Sequence, residues 1–122
     1  MIPIHARLQD AKTLPSLAEA CMQLPDVTKF SLEGSHGCVL LRLWVRYPTG
    51  VVAEQIYRYR LDARQNLVIF YTENFGREKR IPLVHALIKQ FPKGWVARFF
   101  NVSGATITND LKTFDYGVAS NE

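Results

Sequence analysis

Residues 38–61, CVLLRLWVRYPTGVVAEQIYRYRL, decide the fold. Two runs rich in β-branched and aromatic residues flank Pro48-Thr49-Gly50. Proline fixes φ at its own position, and glycine accepts the positive φ that closes a tight connection, so the segment reads as two antiparallel strands joined by a turn. Strand side chains alternate. Val39, Leu41, Leu43 and Val45 therefore point one way and Leu40, Arg42, Trp44 and Arg46 the other, which is the pattern of a half-buried sheet. In the second run Arg58 and Arg60 share one face and Tyr57, Tyr59 and Leu61 the opposite one. A polar turn at 62–66 leads into a third strand at 67–72. A three-stranded antiparallel meander of this size needs a cover, which flanking helices can provide.

Upstream, apolar residues at Leu8, Ala11, Leu14, Ala18, Cys21 and Met22 follow a helical spacing, with a start near Pro15 and Ser16 and an end before Pro25. Residues 27–32 fit either a strand or a turn, and 33–37 have the composition of a tight loop. Downstream, residues 76–80 form a mostly charged connector, after which the apolar period changes from two to about 3.6. Pro82 suits a first helical position, and Leu83, Val84, Leu87, Ile88 and Phe91 make one apolar stripe ended by Pro92. A second helix is predicted from about Lys93 to Asn101 and a third from Ser103 to about Phe114, with a frayed tail at 118–122. The expected fold is α+β: an N-terminal helix and meander over 1–76, then a three-helix part over 77–122.

The chain has 122 residues, the size of one domain or of two small subdomains. Hydrophobic residues make up 48% and charged residues 21%, a globular rather than a disordered composition. Arg42 and Arg46 break the longest apolar stretches far short of the roughly 20 residues of a membrane span. The N-terminal sequence lacks the pattern of an export signal, so a cytoplasmic location is expected. Cys21 and Cys38 stand too far from any histidine for a metal motif; they read as small buried groups, with one disulfide as the alternative. His5, His36 and His85 are scattered, and no carboxylate pair, nucleophile elbow or phosphate-cradling glycine loop surrounds them. No catalytic residue, metal or cofactor is therefore expected. The net charge of +4 is uneven: residues 1–76 carry eight basic and seven acidic side chains, residues 77–122 seven and four. The excess lies in the last third, where it suits a polyanionic partner.

Residues 95–112, WVARFFNVSGATITNDLK, read as two helices and a tight turn. Ala97 is small where a second helix must cross, and Asn101 tolerates the left-handed conformation at a helix end. Val102 plugs the junction, and Ser103 can accept a free backbone N–H near Ala105 or Thr106. Val96, Phe100, Ile107 and Leu111 would then face a common core. Asp110 reads as structural, paired with a cation on the second helix. Val96-Ala97, Val102-Ser103, Ala105-Thr106-Ile107 and Asp110-Leu111 together resemble the helix-turn-helix of DeoR-type bacterial repressors, over residues 82–114 at most. The resemblance implies that the third helix enters the major groove of duplex DNA. Thr106, Thr108, Asn109 and Lys112 would then meet bases or phosphates, with Ser103 and Gly104 at the entry. The two positions before Asp110 are often basic in that family. Here they are Thr108 and Asn109, so Lys93 and Arg98, with Lys89 and the Arg77-Lys79-Arg80 cluster, would have to supply phosphate contacts. Arg42, Trp44, Arg46, Arg58 and Arg60 on the sheet are expected to form a partner or dimer surface. The function expected is a small, homodimeric DNA-binding transcriptional regulator. The alternative is a protein-binding adaptor or inhibitor, of the kind a mobile element encodes, docking through that sheet face.

Overall fold

The computed structural model describes Ile4 and residues 8–113. His5, Phe114 and the tail at 118–122 lie outside the described residues. The chain divides into two compact units, Met1–Phe70 and Tyr71–Glu122.

In the first unit, helix α1 spans Leu14–Met22. Its start is fixed by a reciprocal cap: the Ser16 N–H donates to Thr13 Oγ1 at 3.3 Å, and the Thr13 N–H donates to Ser16 Oγ at 3.1 Å. Pro15 sits in the first turn, where a missing N–H costs nothing. The helix packs on β1 (Val27–Ser35), and the sheet continues in sequence order through β2 (Cys38–Arg46), β3 (Val52–Leu61) and β4 (Leu67–Ile69), each pair antiparallel.

The sheet thus has four strands, not the three expected from sequence, and residues 33–35, read as loop, belong to β1. The connection shrinks to His36-Gly37, with φ of 54° and 75°. Two successive positive φ values give the backbone twist that a two-residue hairpin requires. Gly34 serves packing rather than turning. A Cβ there would lie 2.5 Å from the Cys38 carbonyl oxygen, closer than the strands allow.

The core of this unit joins Leu17, Cys21 and Leu24 to Val39, Leu41, Leu43, Val45, Tyr59 and Leu67. On the opposite face of β2 the expected exposure begins only at Arg42, because Cys38 and Leu40 are buried too. Both cysteines are free thiols, and burial raises each thiol pKa to about 11.

In the second unit, a 3-10 turn at Thr72–Asn74 precedes α2 (Arg77–Leu87), α3 (Lys93–Phe100) and α4 (Gly104–Leu111). Pro82, expected as a first helical residue, lies inside α2. The Gly76 carbonyl accepts the N–H groups of Lys79 and Arg80 at 3.2 and 3.1 Å, so a turn of helix exists before the proline is reached. Pro82 is exposed, as is Glu78, whose carbonyl loses its helical donor and can turn to water instead. α2 buries Ile81, Val84 and Leu87, and α4 packs against both α2 and α3. Phe91 stacks on Trp95 at 3.9 Å and Trp95 on Phe99 at 5.8 Å between ring centroids; Phe99 meets Phe100 edge-on. Among the described residues, no helix is long and apolar enough to cross a membrane.

Candidate nucleic-acid interface

The turn between α3 and α4 is set by local sterics. Asn101 takes the left-handed conformation (φ 55°, ψ 48°), and the Val102 N–H reaches back to the Ala97 carbonyl at 3.0 Å, closing the helix end. Ser103 then caps α4 by accepting the Thr106 N–H at 3.1 Å.

Ile107 and Asp110 fix the inner face of α4, both fully buried. Asp110 is 1% exposed and takes two hydrogen bonds from Arg80, at 2.6 Å from Nε and 3.2 Å from Nη2. The Arg77 Nε stands 3.7 Å away. The cation therefore comes from α2, not from the second helix of the unit as expected, because Arg80 is the guanidinium whose fork meets the buried carboxylate. Two consequences follow for the basic cluster at 77–80. Arg80 is committed to Asp110 and is no phosphate ligand, and Arg77 also donates to the Thr113 hydroxyl at 3.0 Å. His85 Nε2 lies 2.9 Å from the Thr113 carbonyl, which makes it a link at the edge of the core. Val96 and Phe100 are buried as expected, whereas Leu111 is only half-buried.

Ala105, Asn109 and Lys112 are exposed and share the outer face of α4 at helical spacing. Ser103 is exposed as well, and Gly104, Thr106 and Thr108 are half-buried. Their hydroxyls are already engaged. Thr106 Oγ1 and Ser103 Oγ share a hydrogen bond at 3.0 Å, while Thr108 donates to the Gly104 carbonyl at 3.1 Å and accepts from Lys93 Nζ at 3.1 Å. Lys93 thus leaves the start of α3 to lie over the first turn of α4; a Cβ on Gly104 would sit 3.7 Å from its Cε. Arg98 is exposed on α3. Lys93, Gly104 and Thr108 are brought together, and Asn109 and Lys112 stand beside them without a side-chain partner among the described residues.

No family model, curated protein or solved structure matches this chain. Its chemistry has to be read from these side chains alone.

The sheet face anticipated from sequence is assembled by register: Trp44 lies opposite Glu54, Arg42 opposite Ile56, Arg46 opposite Val52, and Arg58 and Arg60 opposite Leu40 and Cys38. Its electrostatics differ from a bare basic patch. Arg42 is bonded to Glu54, with Nη2–Oε2 at 2.6 Å and Nε–Oε2 at 2.8 Å. Burial pushes the Arg58 pKa below its ordinary value. Lys29 Nζ and Arg42 Cζ lie 4.6 and 4.7 Å from the centroid of Trp44, so cations already engage the indole. Lys29 is not legible in the sequence, because residues 27–32 fit a strand or a turn and only pairing with β2 sets it over Trp44. Glu54 is not legible either, because its pairing with Arg42 depends on the register of β2 against β3.

Proposed function

We propose that this chain binds duplex DNA through its C-terminal helical unit, with α4 in the major groove, and acts as a small non-enzymatic transcriptional regulator. The observation that carries the reading is the division of α4. Its inner face is locked by Ile107 and by the Asp110–Arg80 pair, which neutralises the one acid of the helix, while Asn109 and Lys112 face outward beside Lys93. An asparagine amide can bond adenine through two groups, and a threonine methyl can touch thymine. Lys93, Lys112 and Arg98 supply phosphate contacts, and backbone N–H groups at Ser103 and Gly104 add the partial positive charge of a helix start. The DeoR-type resemblance supports the same docking. A homodimer in a bacterial cytoplasm completes the proposal, since two copies would read two half-sites and offset the sparse charge of one.

The test is binding to random-sequence and genomic duplexes across a salt series, followed by fluorescence anisotropy. With three cations in each copy, log affinity should fall with log salt at a slope of about −2 to −3 for every copy bound, near −0.9 for each phosphate neutralised. Thr106→Ala combined with Asn109→Ala should erase sequence preference and leave the slope intact.

One observation favours a second reading. The Trp44 ring is flanked by cations, and Arg42 is neutralised by Glu54; this suits a protein surface better than a nucleic-acid backbone. If neither protein binds DNA and Trp44→Ala abolishes recovery of a protein partner, the adaptor reading replaces the regulator.

A further inference from the structure

The two edges of the sheet are not alike. β4 has three residues, and the Leu67 N–H is already taken by the Lys12 carbonyl at 2.8 Å, so that edge is short and covered at its start. β1 runs for nine residues without a proline, and its one irregularity lies at the far end, between Val27 and Lys29. Natural sheets blunt such edges, because a long row of unpaired backbone groups is a template for another strand.

Register tells which groups of β1 point outward. The Phe70 N–H donates to the Arg58 carbonyl at 2.9 Å, so Arg58 turns its backbone toward β4 and away from β2. Backbone direction alternates along and across an antiparallel ladder. Leu40, opposite Arg58, therefore bonds to its other neighbour, Glu33. The same phase directs the backbones of Ser31 and Ser35 inward to β2, and those of Phe30, Leu32 and Gly34 outward. Among the described residues these outward groups have no partner.

We infer that this edge pairs with the β1 edge of a second copy of the chain, antiparallel about a two-fold axis at Ser31, joining the two four-stranded sheets into one. In that register Phe30 stands opposite the partner's Leu32, so the outward N–H and C=O groups of both bond across the axis. On the Trp44 face, Lys29 stands opposite the partner's Glu33 and Glu33 opposite the partner's Lys29. Sliding the strands by two residues in either direction places Lys29 or Glu33 opposite a serine instead. Lys29 and Glu33 are both exposed in the single chain. Backbone phase allows registers two residues apart, and charge complementarity selects this one among them. The pairing supplies an interface for the homodimer proposed above, and it does not rest on DNA binding.

The experiment is sedimentation equilibrium of the full chain over a concentration series, for the native protein, Lys29→Glu, Glu33→Lys and the double exchange, with circular dichroism to show that each retains its sheet. The native chain should dimerise. Each single reversal sets two like-charge pairs across the axis and should raise the dimer dissociation constant about tenfold, an effect that shrinks in high salt. The double exchange should bring it back near the native value. Glu33→Lys leaves the Lys29–Trp44 contact untouched, so loss of that contact cannot account for its effect. A monomeric native chain, a dimer indifferent to both reversals, or a double exchange no better than the singles would each overturn the inference. DNA binding is read separately by the salt series, so a monomeric chain would remove the homodimer from both proposals while duplex binding by α4 is decided on its own.

Discussion

At the scale of single residues, Asp110 has the largest predicted effect. The Asp110 side chain is 1% exposed, and Arg80 meets it with two hydrogen bonds that take the place of the water it has lost. Asp110→Ala strands the guanidinium and should destabilise the protein by about 3 kcal/mol in urea unfolding followed by helical circular dichroism. Arg80→Met with Asp110→Leu should recover most of that loss, because an apolar pair of similar volume needs no charge compensation. Asn101 makes a sharper test of conformation than of contact. Asn101→Gly should be tolerated, whereas Asn101→Val should cost about 1–2 kcal/mol by forcing a β-branched residue into the left-handed region. Ser103→Ala removes the cap of α4 and should cost about 1 kcal/mol. The residues of this junction were legible in the sequence because their roles are local: a left-handed helix end and a cap depend on the neighbours of Asn101 and Ser103. The partner of Asp110 was not, since Arg80 stands 30 positions away and only the packing of α2 against α4 brings it there.

At the scale of elements, β2 and β3 declared themselves by their β-branched and aromatic residues, and β2 by alternation as well, but β1 did not. Its half-buried pattern is irregular, and Glu33-Gly34-Ser35 carries the residue types of a turn. Gly34 is required instead by the close approach of the Cys38 carbonyl, and Gly34→Ala should lower the urea midpoint although the residue is exposed. The opposite outcome is expected at Pro82. Its preference for the start of a helix made it a misleading marker, because Gly76 had already opened α2. Pro82→Ala restores a donor for the Glu78 carbonyl on an exposed face and should raise stability by about 1–3 kcal/mol, measured in the same way.

For the whole molecule, burial of the two thiols sets an alkaline limit. Cys21 and Cys38 ionise near 9.0 once unfolded but only at about 11 in the fold. Their contribution is complete below pH 9 and declines as the pH rises from there toward 11, since the unfolded chain then sheds protons that the fold retains. The urea midpoint should therefore fall over that interval, and Cys21→Ala should make the fall shallower. At neutral pH both thiols should resist a disulfide exchange reagent until the protein unfolds. The order β1-β2-β3-β4 has a further consequence, for synthesis rather than for stability. Every strand pairs with the one made immediately before it, so the loops to be closed are short and the sheet can grow hairpin by hairpin as the polypeptide leaves the ribosome, with no strand waiting for a distant mate.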